Sequence, residues 1–273
     1  MKRILIGAAV AAVFSTGALA ADLPERMYTK APAIPPIVYD WTGFYLGGNL
    51  GWGWLDDRGA PFCTDPTGAL NGPGCDILPG GHVRGNGVIG GGQAGYNWQV
   101  NNIVYGLEAD IQGADINGTF NFHGPITFVG GGANVATFVA HERLDWLGTV
   151  RPRVGFLVTP QALLYATGGL AYGGGSVDQN VSYVSPAVQF PSSTGFTKLG
   201  WTAGGGLEWK LASSNWSAKV EALYYDLGSV STAGGSVPVG FDAYMGGKVF
   251  NVRGMIARAG IDYHFGGPVP AKY

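Results

Sequence analysis

Ten charged side chains fall on a single face of the strands that the sequence predicts. Successive side chains of a strand point to opposite faces, so Glu108 and Asp110 share a face, as do Arg151 and Arg153. The five acidic and five basic residues are Glu108, Asp110, Glu208, Glu221, Asp262, Arg151, Arg153, Lys210, Lys219 and Arg258. Opposite charges arranged in this way either neutralise one another as ion pairs or line a narrow path for ions.

The predicted strand order brings several of these charges within reach of one another. A tight turn at Ala212–Asn215 places Glu208 opposite Lys219. The expected contacts are Glu108 and Asp110 with Arg151 and Arg153, Glu208 with Lys219, and Glu221 with Arg258. The interior of an eight-stranded barrel is just wide enough to be filled by side chains. This favours a plug of paired charges, and a narrow ion path is the alternative.

Cysteine and histidine are the other residue types that could form a link or hold a ligand. Cys63 and Cys75 lie close together in a loop-like segment, and in an exported chain they predict a disulfide rather than a metal site. His82, His123 and His141 fall in predicted long loops, where histidines are either solvated or bind haemin or a metal ion. We expect no bound cofactor.

Motifs for nucleotide binding or catalysis are weak. Gly90-x-Gly92-x-x-Gly95 matches a dinucleotide fingerprint, but a helix must follow that motif, and Tyr96–Gln99 continue the alternation of a strand. Ser, His and Asp residues show no recognisable catalytic spacing, so we predict that the protein is not an enzyme. The net charge is -2 and no basic patch is evident, which excludes nucleic acid as a partner.

The charged side chains lie on eight predicted strands. In the first strand, which follows Trp41, Phe44 and Leu46 share an apolar face, and Tyr45 and Asn49 lie on the other. The remaining strands are predicted at about 87–100, 103–113, 144–158, 162–174, 199–211, 216–227 and 252–265. Tight turns alternate with long connections at 55–86, 114–143, 175–198 and 228–251. This pattern predicts an all-β fold, an eight-stranded antiparallel up-and-down transmembrane β-barrel.

Composition indicates which face of the strands turns inward. Only 12% of the residues are charged, and 48 are glycine. A soluble barrel places its apolar face inside, whereas a membrane barrel places it against lipid, with aromatic residues at both interfaces. We therefore expect the charges, with Asp145 among them, to face the lumen, and Leu107 and Val220 to face lipid. Pro152 lies within the fourth strand and predicts a bulge or a lost hydrogen bond.

The chain is predicted to have four segments. Residues 1–20 are a signal peptide, because a basic start and an apolar run precede Ala18-Leu19-Ala20. Residues 21–40 contain four prolines and are predicted to be a periplasmic linker. Residues 41–265 are the outer-membrane β-barrel, and residues 266–273 are a C-terminal extension.

Four stretches of the chain carry a family resemblance: Trp41–Asn49, Tyr165–Gly169, Ala218–Gly228 and Arg258–Phe265. Together they resemble the small, porin-like outer-membrane surface-antigen family of Gram-negative bacteria, which has an OmpA-type eight-stranded barrel domain. The resemblance implies a location in the cell outer membrane and a structural or surface role. It implies outer-membrane lipid and the barrel-assembly machinery as partners, with Tyr263 and Phe265 as the assembly signal. The alternatives are a narrow porin-like channel and a receptor that binds haemin or a host ligand through its long loops.

Overall fold

The computed structural model describes residues 37–58, 62–64, 76–78, 82–127, 133–184, 187–212, 214–232, 235–236, 244–245, 249–265 and 269–270. Within this part of the chain, eight antiparallel strands form one closed barrel, which confirms the predicted fold class. The strands are β1 (Gly43–Arg58), β2 (His82–Val100), β3 (Ile103–Thr127), β4 (Ala133–Thr159), β5 (Ala162–Tyr183), β6 (Val188–Lys210), β7 (Trp216–Ser231) and β8 (Val249–His264). No helix among the described residues is long and apolar enough to cross a membrane.

Side chains alternate between the outer surface and the lumen, as the sequence predicts. Leu107 and Val220 lie on the outer surface and are exposed. Glu108 and Lys219, which adjoin them in sequence, are buried in the lumen. Gly90-x-Gly92-x-x-Gly95 lies wholly within β2 and is not followed by a helix, so the geometry of a dinucleotide site is absent there.

Four strands continue far beyond their predicted ends. β3 has 25 residues and β4 has 27, whereas about 9–11 residues of a tilted strand cross a membrane. In these extensions the inward side chains are apolar and the outward ones are polar, the reverse of the pattern lower in the barrel. The reason is that water, not lipid, surrounds this part: Ile116 and Phe138 are buried inside, and Asn117 and Thr119 face out. The predictions ended where the outward apolar pattern ended and therefore assigned these residues to loops.

The histidines illustrate this error. His123 lies on β3 and His141 on β4, not in loops. His123 Nδ1 lies 2.7 Å from Thr137 Oγ1, and His141 Nδ1 lies 3.0 Å from Thr119 Oγ1, both on the exposed surface. His82 is the first residue of β2.

Asp145 does not face the lumen, contrary to the prediction. In the pairing of β4 with β5, a β-bulge lies between Leu144 and Trp146. A bulge adds one unpaired residue and so changes which positions point inward: Leu144 and Leu147, on either side of it, are both buried. Asp145 instead pairs with Arg143 at 2.8 Å on the exposed surface.

Pro152 interrupts the pairing of β4 with β5 without shifting its register. Paired residues run to Val150–Leu170 and resume at Arg153–Thr167. Proline has no N–H to donate. The prediction was a bulge or a lost hydrogen bond at Pro152, and the structure shows lost strand pairing rather than a bulge. The Thr167 hydroxyl donates to the Pro152 carbonyl oxygen at 2.9 Å and gives that group a side-chain partner.

Several predicted features lie partly or wholly outside the described residues. The predicted signal peptide and residues 21–36 of the predicted linker are among them. Cys63 belongs to a short strand, Phe62–Thr64, that pairs with Asp76–Leu78, but Cys75 is outside the described residues. The disulfide between the two cysteines stays a prediction.

Candidate functional site

The predicted charges meet inside the half of the barrel that is closer to the short turns. All ten are buried, with at most 4% of each residue exposed. Nine of them form one connected set, here called the lumen network: Glu108, Asp110, Arg151, Arg153, Glu208, Lys219, Glu221, Arg258 and Asp262. These residues project from β3, β4, β6, β7 and β8, so the network draws on most of the barrel wall.

Arg151 spans the lumen at the centre of this network. Its Nη2 lies 2.7 Å from Glu108 Oε1 and 3.1 Å from Asp110 Oδ2, both on the neighbouring strand β3. Its Nη1 lies 3.0 Å from Glu221 Oε1 on β7, which is across the barrel. One guanidinium therefore links opposite walls, which leaves little room for ions to pass at this level.

Arg258, on β8, places a second guanidinium in the lumen at the level of Arg151. Its Nη2 lies 2.6 Å from Glu221 Oε2, which is the contact expected from the strand order. The same nitrogen lies 2.9 Å from Asp110 Oδ2, which also accepts a hydrogen bond from Thr149 Oγ1 at 2.8 Å. Glu221 and Asp110 thus each contact both Arg151 and Arg258.

The expected ion pair between Glu208 and Lys219 is wrong, although the two residues are backbone register partners as predicted. Lys219 Nζ lies 2.7 Å from Glu108 Oε2 and 3.5 Å from Asp262 Oδ2. Glu208 Oε2 instead contacts Arg153 Nη1 at 3.0 Å. In so narrow a lumen, a long side chain reaches strands other than its neighbours, so register alone does not decide its partner.

Two tyrosines enclose Arg153. Its guanidinium carbon lies 4.7 Å from the ring centroid of Tyr45 and 5.1 Å from that of Tyr165, within the range of a cation–π contact. The Tyr45 hydroxyl donates to Glu108 Oε2 at 2.7 Å. Gly95 leaves the space that the Tyr45 ring fills, since a Cβ there would overlap the ring. Sequence analysis placed Tyr45 on the inward face but assigned it no partner.

A serine, a histidine and a glutamate meet near the periplasmic end of the network. Ser217 Oγ lies 2.9 Å from His264 Nε2 and donates to Glu208 Oε1 at 2.6 Å, and that carboxylate oxygen lies 3.0 Å from the same Nε2. A catalytic triad uses both ring nitrogens, one for the hydroxyl and one for the carboxylate. Here both partners contact Nε2, so the arrangement is that of a buried polar cluster.

Trp41 closes the periplasmic end of the lumen, a role that sequence analysis missed. It is fully buried, and its Nε1 donates to the Pro160 carbonyl oxygen at 3.2 Å. Lys210, which was expected among the paired charges, lies apart from them. Its Nζ is 4.9 Å from the Trp41 ring centroid and donates to the Asp40 carbonyl oxygen at 2.5 Å. The available signal was parity, because Trp41 is four positions before Tyr45, which sequence analysis placed on the inward face.

A hydrophobic core fills the lumen on the extracellular side of the network. Its buried members are Leu55, Val83, Ile89, Ile116, Ala136, Phe138, Ala140, Leu144, Leu147, Ala171, Val177, Val181, Phe196, Leu223, Tyr225, Leu227, Val230, Phe250, Val252 and Ile256. Sequence analysis did not predict this core, because it assigned apolar side chains to the lipid face throughout.

The predicted assembly-signal residues lie on and beside the last strand. The rings of Tyr263 and Phe265 are 5.3 Å apart, and Phe265 donates its N–H to the Phe44 carbonyl oxygen at 2.9 Å. Asp262, the network member that precedes Tyr263 in the chain, accepts a hydrogen bond from Gln93 Nε2 at 2.7 Å. The role in assembly stays a prediction.

Within the described ranges, no group of three or more His, Cys, Asp or Glu residues could hold a metal ion.

Comparison with known proteins agrees with this architecture. Residues 6–265 match the family model described as "Outer membrane protein beta-barrel domain". The chain is 36% identical over 231 residues to the 31 kDa outer-membrane immunogenic protein of Brucella melitensis biotype 1, covering 84% of this chain and 88% of that one. It is 30% identical over 239 residues to the 22 kDa outer membrane protein of Rhizobium leguminosarum bv. viciae, covering 82% of this chain and 85% of that one.

Among solved structures, the outer membrane protein OprG from Pseudomonas aeruginosa is similar, with a TM-score of 0.45 and 10% identity over 84% of this chain and 99% of that one. The family match spans the whole barrel, and the relatives are named for the outer membrane. The chain therefore belongs to the outer-membrane β-barrel protein family and is located in the outer membrane.

Proposed function

We propose that this protein is a sealed outer-membrane barrel with a structural and cell-surface interaction role, and that it is neither a channel nor an enzyme. The observation that carries the proposal is the filling of the lumen at three successive levels. Trp41 lies at the periplasmic end, the lumen network lies above it, and the hydrophobic core lies above that. An ion would have to displace all three.

The burial of the charges favours a plug over a conduction path. Arg151 has none of its side-chain surface exposed, and Glu108 has 2%. Charges that line a conducting path are hydrated, whereas charges removed from water are stabilised by their partners. The lumen network contains five acids and four bases that contact one another, and the fifth base, Lys210, is buried nearby against Trp41.

The extracellular half of the barrel supports the surface role. β4 has 27 residues, which at about 3.4 Å per residue is roughly 90 Å of strand, far more than a membrane crossing requires. Apolar side chains fill most of the interior of this half, together with the buried polar residues Asp57, Glu142 and Gln179. Its outer face carries exposed polar residues such as Thr119 and Asp178. Its neighbours would be outer-membrane lipid, the assembly machinery during folding, and an extracellular ligand.

Planar-bilayer recordings of the refolded protein test this proposal. We expect no sustained single-channel conductance from the wild type. We also expect that Arg153→Ala lowers stability without opening a steady current, because the hydrophobic core and Trp41 remain. A steady current in the wild type, with an ion preference that Arg153→Ala alters, would contradict the plug and favour the narrow channel.

A further inference from the structure

The chain segments that flank the barrel pair with each other on its periplasmic side. Ile37–Val38, shortly before β1, pairs antiparallel with Val269–Pro270, shortly after β8. β1 and β8 are the first and last strands of the barrel, and their own pairing, from Leu55–Gly254 to Tyr45–His264, closes the wall. The short pairing therefore joins the chain again just beyond the two strands whose seam completes the barrel.

Residues 39–42 carry the chain from this short pairing to β1, and they contact the ends of three hairpins. Trp41 donates its N–H to Gln99 Oε1 at 2.8 Å, near the end of β2, and its Nε1 donates to the Pro160 carbonyl oxygen, in the turn between β4 and β5. Lys210, at the end of β6, donates to a backbone carbonyl oxygen of the segment at 2.5 Å. The partners in these three bonds are 58, 119 and 170 positions apart in the sequence.

Gly43 directs this segment under the barrel. Its φ is 137°, a backbone conformation that residues with a side chain rarely adopt. Just before it, the Thr42 N–H donates to the Asp40 carboxylate at 2.8 Å. The resulting turn places the buried Trp41 ring 5.8 Å from the ring of His264, the last residue of β8, with the two planes at 89°. The segment before β1 thus packs against the end of β8 from inside the lumen.

These contacts require a barrel that is already closed. The ends of β2, β6 and β8 and the turn between β4 and β5 come together around one segment only when the strands between them have paired. Contacts between residues far apart in the chain cost loop-closure entropy and depend on earlier pairing. An interaction that is absent from the folding transition state slows unfolding and leaves the folding rate almost unchanged.

We propose that residues 37–42 and 269–270, here called the periplasmic clasp, dock after β1 has paired with β8 and lock that seam against reopening. The clasp gives the C-terminal extension a structural role, because Val269 and Pro270 supply half of the short pairing. It likewise makes the end of the predicted linker part of the barrel. The inference concerns how the barrel stays closed and goes beyond the surface role proposed above.

Pairs of introduced cysteines test the order of events in the full-length protein, in a background without the two native cysteines. Val38→Cys with Val269→Cys reports the clasp, and Leu50→Cys with Ala259→Cys reports the seam, because each pair consists of register partners at a separation that a disulfide can bridge. During refolding from urea into lipid vesicles, samples are oxidised at successive times. The clasp link should appear with a half-time at least about twofold longer than that of the seam link, and only in protein with the heat-modifiable gel mobility of a closed barrel.

Two substitutions test the lock itself. Trp41→Ala should unfold in urea at least about tenfold faster than the wild type, with a refolding rate within about twofold of it. Gly43→Ala removes no contact but strains the turn, so it should lower the yield of the clasp link about fivefold or more and leave the seam link unchanged. Phe138→Ala, in the extracellular core, is the control and should leave the yields of both links unchanged.

Three results would overturn the proposal. The first is a clasp link that forms as early as the seam link, and the second is a closed barrel in which the clasp link does not form. The third is a Trp41→Ala protein whose refolding is slowed more than its unfolding is accelerated. None of these results bears on conductance or on surface binding, so the proposed function stands or falls separately.

Discussion

Arg151 and Glu108 are register partners on neighbouring strands, and their side chains meet at 2.7 Å with 0% and 2% of their surface exposed. Exposed ion pairs contribute little to stability because water and salt screen them. A buried pair differs, because each charge compensates for the water that the other has lost. The lumen network should therefore respond to substitution as a set of mutually dependent groups.

Removing one partner of a buried pair should cost more than removing both. We expect Arg153→Ala to lower the free energy of unfolding by roughly 3–5 kcal/mol, because Glu208 loses its arginine partner, and Arg153→Ala with Glu208→Ala to cost less. Urea titrations of the barrel in lipid vesicles measure both. Arg143→Ala is the matched control on the same strand, where the exposed pair with Asp145 should contribute at most about 1 kcal/mol. Equal losses in the three proteins would contradict a buried network.

The lipid-facing surface should reject charge at mid-membrane depth. Leu107→Arg and Val220→Arg should each lower the free energy of unfolding by roughly 2–4 kcal/mol, because the guanidinium is taken into the hydrocarbon layer. The same titrations in lipid measure the effect. Thr197→Arg, on the outer face above the membrane, is the control and should be close to neutral. Wild-type stability of both lipid-face variants would mean that the assignment of inner and outer faces is inverted.

Trp41 should stabilise the barrel without controlling conductance by itself. Trp41→Ala should lower the free energy of unfolding by roughly 3–5 kcal/mol, because a large buried ring and its contact with Lys210 are lost. Bilayer recordings should still show no sustained current, since the lumen network remains above it. A current that appears in Trp41→Ala would identify this residue as the gate of a channel.

The extracellular half of the barrel should depend on its hydrophobic core. Phe138→Ala should lower stability by roughly 3–5 kcal/mol and make this half of the protein more sensitive to proteases added outside reconstituted vesicles. Asn121→Ala, on the exposed face of the adjacent strand, should change stability by no more than about 0.5 kcal/mol. Equal protease sensitivity of the two variants would argue against a packed extracellular core.

Cys63 and Cys75 should form a disulfide, because both are predicted outside the membrane in an oxidising compartment. Thiol labelling of the unreduced, unfolded protein should detect no free thiol, and prior reduction should expose two. Labelling of both cysteines before reduction would refute the link.

Much of the membrane-spanning part of the barrel followed from local sequence pattern. Alternation along a strand needs only the pleated backbone, so Leu107 and Glu108 could be assigned to opposite faces without knowledge of the partner strands. Backbone register across a tight turn is equally local, and Lys219 does lie opposite Glu208. The register is strongly specified here, because a shift of one residue between paired strands would turn the charged side chains toward lipid.

The tertiary structure decided which side chains meet and where the alternation reverses. Lys219 contacts Glu108 rather than Glu208 because a narrow lumen brings non-neighbouring strands within reach of a long side chain. Asp145 faces outward because a bulge, which depends on pairing with β5, changes the parity of β4. The extracellular core also depends on strand lengths, since the side of a strand that must be apolar changes when its surroundings change from lipid to water.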